Sequence, residues 1–132
     1  MKVILNKCFG GFDVSDEAYH LYAKKKGVKL YRYQVETDGY HKTDKANGYG
    51  SYFTKDFGDK VADGKDFDWD YCLYLDEGHR EDPVLVEVVE ELGDKASGFY
   101  GKLKVVEIPD GLNYVIDDYD GIETLHEDVP IW

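Results

Sequence analysis

Two segments carry the complete start and stop signals of a helix, and they constrain the fold of this chain more than any other feature. Residues 14–27 read VSDEAYHLYAKKKG, with Ser15 as the N-cap, acidic residues in the first turn and three lysines before a closing glycine. Residues 81–98 read EDPVLVEVVEELGDKASG, with Asp82 as the N-cap, a proline in the first turn and an apolar stripe. The sequence therefore predicts two well-delimited helices.

Short segments rich in β-forming residues lie on either side of both helices. KVILNKCF precedes the first helix and VKLYRYQV follows it, while DFDWDYCLYL is the clearest strand because its apolar and polar residues alternate strictly. KLKVVEI and NYVIDDY then flank a turn sequence formed by Pro109, Asp110 and Gly111. This order predicts the α+β class, with two helices packed on a mixed or antiparallel sheet of about five to six strands.

One domain spanning residues 1–132 accounts for this pattern, and its middle, at about 36–66, is expected to be variable and rich in loops. Glycine, aspartate, lysine and tyrosine are mixed there without a clear period, and GYGSYFTKDFG predicts one short strand. The chain has neither an internal repeat nor a composition change that would mark a second domain.

Cysteine usage and hydropathy indicate the compartment. Cys8 and Cys72 are too few for a secreted disulfide framework, so both are expected to be reduced thiols. The apolar run Val3, Ile4 and Leu5 is shorter than a signal-peptide core, and no stretch is long enough to span a bilayer. We therefore expect a soluble, cytoplasmic protein that has no membrane partner.

The charge of the chain indicates the kind of partner that it could bind. The formal net charge is −12, and residues 105–132 contain eight acidic residues and no lysine or arginine. Such a field repels phosphate backbones, so direct binding of nucleic acid is not expected. It favours association with basic surfaces, although an acidic surface that only keeps the protein soluble is the alternative interpretation.

An acidic segment imitates part of a calcium-binding loop. Position six of such a loop requires glycine for its sharp turn, and Tyr71 stands there, so a solvated acidic strand face is the better interpretation. The residues at positions 1, 3, 5 and 12 are Asp66, Asp68, Asp70 and Glu77. We expect no metal site.

No motif in the chain requires catalysis. The histidines and cysteines lack the paired spacing of zinc ligands, and the glycine-containing turns match no phosphate-binding fingerprint. Cys8 precedes two glycines and a helix start, which could lower a thiol pKa, but a buried cysteine at a strand end is the simpler interpretation. The sequence therefore predicts a protein without catalytic residues or a cofactor.

Surface recognition is the remaining class, and the acidic end of the chain is its strongest candidate. The run starting at Tyr114 is expected to begin as a strand, to turn at Asp120 and Gly121, and then to leave along the surface. Tyrosine and tryptophan are enriched at protein interfaces because they supply rigid, amphipathic contact area. The predicted partner-binding residues are Asp117, Asp118, Asp120, Glu123, Trp132, Tyr40, Tyr49 and Tyr52.

Several segments together resemble a family of small phage and prophage proteins. These are NKCFGGF near the start, DPVLVEVVEELG, LKVVEIPDG, and DDYDGIETLHE with a terminal tryptophan. The resemblance covers both ends of the chain and omits roughly residues 36–66. It implies a context rather than an activity, namely an accessory gene of a virus that is expressed inside a bacterium.

These observations support one main hypothesis and two alternatives. The main hypothesis is a small acidic inhibitor that binds a host or defence protein through a basic surface on that protein. The first alternative is capture of a nucleotide-like ligand by the middle tyrosines with a base such as Arg32 or Arg80. The second, less favoured, is an enzyme that depends on Cys8.

Overall fold

Both predicted helices are present in a computed structural model, which describes residues 1–44 and 50–129 of the chain. Helix α1 spans Asp16–Lys26 and helix α2 spans Pro83–Leu92. Neither of these two helices is long and apolar enough to cross a membrane.

Side chains cap both helices at the predicted positions. The Ser15 hydroxyl accepts a hydrogen bond from the Ala18 backbone N–H at 3.1 Å. The Asp82 carboxylate accepts one from the Val84 N–H at 2.9 Å. Because the first N–H groups of a helix have no partner within the helix, these caps define where each helix begins.

Nine strands form within the described residues, and neighbouring strands that are hydrogen-bonded to each other are antiparallel in every case. They make three sheets, with orders β1-β7, β5-β3-β2-β4-β6 and β8-β9. The α+β class is confirmed for a single domain, but the strands outnumber the five to six predicted and do not join in one sheet. The strands are β1 Lys2–Asn6, β2 Tyr31–Glu36, β3 Gly39–Lys42, β4 Gly50–Phe53, β5 Lys60–Val61, β6 Cys72–Leu73, β7 Leu103–Glu107, β8 Tyr114–Tyr119 and β9 Ile122–Glu127.

Contacts group the chain into two compact units. The first contains residues 1–22 and the described residues from 75 onward. Its core lies where α2 packs against β1 and β7, and it excludes water from aliphatic side chains. The buried apolar residues of β1 and α2 are Val3, Ile4, Leu5, Leu85, Val86, Val88 and Val89.

The second unit, Ala23–Tyr74, is built around the five-stranded sheet and has an aromatic core. The ring centroids of Phe53 and Phe67 are 4.5 Å apart in a stacked pair, and Tyr33 meets Phe67 edge-on at 5.1 Å. Three of its strands, β3, β4 and β5, lie within the middle segment, where one short strand was predicted. Tertiary packing of aromatic rings therefore organises strands that show little alternation of their own.

The prediction that DFDWDYCLYL forms a strand is wrong for most of the length of this segment. Short 3-10 turns replace it at Gly64–Asp66 and Trp69–Tyr71, and only two of its residues pair as β6. The side chains of Asp63 and Asp68 accept hydrogen bonds from backbone N–H groups two residues further on. These local bonds compete with the ladder of a sheet and favour turns over extended backbone.

The end of the chain also differs from its predicted course. Instead of leaving along the surface after the turn, residues Ile122–Glu127 pair along the whole of β8. Asp120 and Gly121 form the two-residue turn with φ of 48° and 93°. Positive φ at both positions characterises the type I′ turn, whose twist matches that of the flanking strands.

Candidate functional site

Three loops meet in the first unit, and we call the area where they meet the three-loop surface. It consists of residues 6–13, residues 97–102 and the hairpin turn at 118–121. The Gly10 N–H donates a hydrogen bond to the Asp120 carbonyl oxygen at 3.0 Å, and the Gly11 N–H donates one to the Tyr100 carbonyl oxygen at 3.1 Å. Backbone hydrogen bonds therefore join the first loop to each of the other two.

The side chain of Asn6, at the end of β1, forms hydrogen bonds with all three loops. Its side-chain amide donates hydrogen bonds to the carbonyl oxygens of Cys8 and Gly121. Its side-chain oxygen accepts a hydrogen bond from the Lys102 N–H at 2.8 Å. Asn6 is fully buried, and a buried amide with unsatisfied groups would be costly, so this network selects one arrangement of the loops.

Glycines permit the loops to approach closely. A Cβ atom on Gly10, whose φ is +128°, would lie 2.3 Å from the Tyr100 carbonyl oxygen. A Cβ atom on Gly121 would lie 2.6 Å from the Gly10 carbonyl carbon. Both distances are far below van der Waals contact, so side chains at these positions would separate the loops.

Glu123 supports this arrangement from β9 rather than facing solvent. Its carboxylate accepts hydrogen bonds from the Arg80 guanidinium at 2.8 and 3.1 Å and from the Asn6 N–H at 2.8 Å. Burial opposes its ionisation, but the bonds from Arg80 and Asn6 outweigh burial and hold the pKa of Glu123 below its usual range. This predicted partner-binding residue is therefore buried and engaged within its own unit.

Large aromatic side chains project from the three-loop surface into solvent. Phe9 is 64% exposed, Tyr119 is 74% exposed and Phe99 is 89% exposed. The rings of Phe9 and Tyr119 meet edge-on, with their centroids 6.5 Å apart. These aromatic residues come from three separate parts of the sequence, and the fold brings those parts together.

The exposed carboxylates of the hairpin lie close to Tyr119 in sequence. Asp117 pairs with His126 at 2.7 Å, and Asp118 accepts a hydrogen bond from the Gly121 N–H at 2.8 Å. Asp120 lies in the turn itself, with the positive φ that aspartate tolerates better than most residues. All three predicted aspartates are therefore exposed on one hairpin.

The predicted tyrosines of the middle segment lie in the second unit. Tyr52 is buried, and Tyr40 is partly buried with its ring edge-on to Phe67 at 5.1 Å. The aromatic core therefore contacts the Tyr40 ring, and Tyr52 has little surface left for a partner. Tyr49 and Trp132 lie outside the described residues.

The groups invoked by the alternative hypotheses are engaged within the fold. Arg32 is almost fully buried and donates to Gln34 at 3.0 Å, and Arg80 is committed to Glu123. The Cys8 thiol lies 3.3 Å from the Tyr100 carbonyl oxygen. Within residues 1–44 and 50–129, no group of three or more histidine, cysteine, aspartate or glutamate side chains could hold a metal ion.

Sequence reasoning missed Phe9, Phe99 and Tyr119, although a signal for them exists. Each lies within two residues of a glycine, in FGG, GFYG and YDG. Phe9 and Phe99 lie outside the helices and strands, and Tyr119 is the last residue of β8, where that strand enters its turn. Exposure of the ring is therefore the natural expectation at these three positions.

No protein-family model, curated protein or solved structure matches this chain.

Proposed function

We propose that this chain is a non-enzymatic binding protein that occupies a basic surface on another protein. In the phage context implied by the resemblance, that protein is a host or defence protein, and the chain blocks it without turnover. The observation that carries this proposal is the group of exposed aromatic rings beside the acidic hairpin on the three-loop surface. Interfaces use this combination of rigid aromatic anchors within a polar rim.

The exposed aromatic rings support the proposal because the fold keeps them in water. Single exposed apolar residues are common, but Phe9, Phe99 and Tyr119 come from three loops that hydrogen bonds of the buried Asn6 hold together. The fold thus uses Asn6 and close glycine contacts to maintain a surface that leaves large rings in water. Exposed apolar patches of this kind mark interaction sites in soluble proteins.

The acidic residues of the hairpin favour a basic partner. β8, β9 and their turn contain five acidic residues and no lysine or arginine, and Glu123 among them is neutralised by its ion pair with Arg80. The remaining carboxylates face solvent, so they attract basic surfaces and repel acidic ones. Binding is therefore expected to weaken as salt rises, because salt screens interactions between exposed charges.

Affinity capture with matched variants tests this proposal. The tagged protein is incubated with bacterial lysate at low and high salt, and the captured proteins are quantified by mass spectrometry. The test variant carries asparagine at Asp117, Asp118 and Asp120. The control variant carries asparagine at three acidic residues of the second unit and so has the same net charge. Those control positions are Asp63, Asp66 and Asp70.

A stoichiometric partner that is released by salt, lost by the hairpin variant and retained by the control variant is the expected result. Equal loss in both variants would assign binding to net charge alone. Unchanged capture by the hairpin variant would exclude the acidic hairpin, and the absence of any stoichiometric partner at low salt would contradict the proposal.

A further inference from the structure

We infer that the Phe9 and Tyr119 rings, together with the Asp118 and Asp120 carboxylates, receive an arginine side chain of the partner protein. This inference rests on the proposed function and specifies the chemistry of the contact. It predicts that one cation is seated at the tip of the hairpin, in addition to the diffuse attraction of the acidic surface.

Lysine side chains of this protein already lie over aromatic rings of the second unit. Lys29 and Lys42 lie over the Tyr31 ring at 5.3 and 5.7 Å from its centroid. Lys55 lies 5.1 Å from the Tyr71 ring centroid. A cation within about 6 Å of a ring centroid is attracted by the electron density of the ring face.

The first unit contains the same type of contact formed by an arginine. The Arg80 guanidinium lies 5.6 Å from the Phe12 ring centroid while it bonds the Glu123 carboxylate. A guanidinium between an aromatic ring and a carboxylate is therefore already present in the fold. The inferred contact would repeat this arrangement with an arginine supplied by the partner.

The Phe9 and Tyr119 rings are available for such a contact. Among the residues that the structure describes, no lysine or arginine is stacked on either ring. The ammonium of Lys7, the basic residue nearest to Phe9 in sequence, donates a hydrogen bond to the Glu123 carbonyl oxygen at 2.9 Å. Within residues 1–44 and 50–129, these rings therefore lack a cation of the kind that lies over Tyr31 and Tyr71.

Carboxylates at the turn complete the inferred site. Asp118 and Asp120 flank Tyr119 in sequence. The Asp120 carbonyl oxygen accepts a hydrogen bond from the N–H of Gly10, which follows Phe9 in the chain. Both carboxylates are exposed, so a partner cation reaches them without opening the fold. Arginine fits better than lysine because its planar guanidinium stacks on rings and bonds carboxylates through several N–H groups at once.

Three peptides of matched length, each alternating glycine with arginine, lysine or citrulline, test the inference with the intact protein. Affinity is measured by calorimetry, and the site is located by amide chemical-shift changes on titration. We expect the arginine peptide to bind more tightly than the lysine peptide and the neutral citrulline peptide not to bind. The largest shifts are expected at residues 8–11 and 118–121.

Two double variants separate the parts of the site. Replacing Phe9 and Tyr119 by leucine keeps apolar area but removes the rings, and should weaken arginine-peptide binding about fivefold. Replacing Asp118 and Asp120 by asparagine should weaken it to a similar extent. The second variant keeps the hydrogen-bond acceptor at position 118 and creates Asn-Gly, the preferred type I′ turn, so folding is retained. Circular dichroism and the melting temperature verify the fold of each variant.

The controls lie in the second unit. Tyr74 is 69% exposed, and its replacement by leucine should leave peptide affinity unchanged, as should asparagine at Asp66 and Asp70. Equal binding of the arginine and lysine peptides, unaltered by leucine at Phe9 and Tyr119, would overturn the inference. So would shifts centred on the acidic segment of the second unit.

The outcome also separates this inference from the proposed function. If affinity capture succeeds but the leucine double variant captures the partner as well as the unmodified protein, the binding function stands and the arginine contact is excluded. If the arginine peptide binds at the hairpin tip but no protein partner is captured, the contact stands and the proposed function fails.

Discussion

At the scale of single residues, buried polar groups decide how the three loops meet. Asn6 and Glu123 are 117 positions apart in sequence, yet the Glu123 carboxylate accepts the Asn6 N–H at 2.8 Å. Arg80 completes the network, and its side chain is 13% exposed. Truncating one member of a buried pair leaves the other charge without compensation, which costs more than the pair contributes.

Replacing Glu123 by glutamine should therefore lower the free energy of unfolding by about 3 kcal/mol at neutral pH, as measured by urea unfolding. Glutamine keeps an acceptor for the Asn6 N–H, so the loss reports on the charge. A second variant that also replaces Arg80 by methionine should recover part of the loss because no lone charge remains. A loss equal to or larger than that of the single variant would contradict this account.

The same pair gives stability a defined pH dependence. The pKa of Glu123 is lower in the folded chain than its ordinary value of 4.5, so its contribution is present above about pH 4.5. That contribution is lost as the pH falls through the folded-state pKa. The stability difference between the unmodified chain and Glu123→Gln should therefore shrink below about pH 4.5 in urea unfolding. A constant difference down to acid unfolding would show that the charge is not responsible.

Two adjacent glycines provide a matched test of loop packing. Gly10→Ala places a Cβ atom against the Tyr100 carbonyl oxygen at a positive φ, and should cost about 2 kcal/mol of stability. At Gly11 a Cβ atom would meet nothing within 4 Å, so Gly11→Ala should change stability by less than about 0.5 kcal/mol. Thermal unfolding of both variants makes the comparison, and similar losses at the two positions would refute the packing argument.

At the scale of elements, local hydrogen bonding and long-range pairing compete. The hairpin β8–β9 forms because Asp120 and Gly121 suit a type I′ turn, so its turn chemistry agrees with its strands. In residues 66–71 the strict alternation predicts a strand, but Asp63 and Asp68 bond nearby backbone and favour turns. The segments KLKVVEI and NYVIDDY form strands β7 and β8 as predicted. They do not pair with each other, because β7 pairs with β1 and β8 pairs with β9.

Substitutions at Asp68 test the turn assignment. The Asp68 carboxylate accepts a hydrogen bond from the Asp70 N–H at 3.1 Å, so Asp68→Ala should cost about 0.5–1 kcal/mol in urea unfolding. Asp68→Asn keeps the acceptor and should be nearly neutral. Asp68→Thr should also destabilise the chain, whereas a strand would gain stability from the β-branched residue. Stabilisation by threonine would restore the strand assignment.

At the scale of the whole molecule, charge is the dominant property. A net charge of −12 at 132 residues makes the compact state repel itself. The acidic excess lies in the second half of the sequence, and the β8–β9 hairpin carries exposed carboxylates without neighbouring lysines or arginines in its own sequence. The same charge that favours a basic partner therefore costs stability in the absence of that partner.

Salt should accordingly stabilise the isolated protein. Raising sodium chloride from about 50 mM to about 500 mM shortens the screening length and should raise the melting temperature at neutral pH. The melting temperature of the variant with asparagine at Asp117, Asp118 and Asp120 should rise less with salt, because part of the charge repulsion has been removed. Calorimetry measures both responses, and a melting temperature that falls with salt would mean that attractive ion pairs dominate.

The sequence by itself determined the features that depend on local chemistry. Ser15 and Asp82 cap their own helices, and Asp120 with Gly121 turns its own hairpin, so the α+β class and these boundaries follow from neighbours in the chain. The exposure of Asp117, Asp118 and Asp120 also follows, because charged side chains near a turn stay in water.

Only the tertiary structure decided which segments meet. The burial of Glu123, the pairing of β7 with β1 and the meeting of the three loops depend on contacts between residues about a hundred positions apart. No local pattern encodes such contacts, because they depend on which surfaces remain to be buried once each element has formed. The exposed aromatic rings of the three-loop surface come together only through this long-range packing, so the proposed binding surface is a property of the fold.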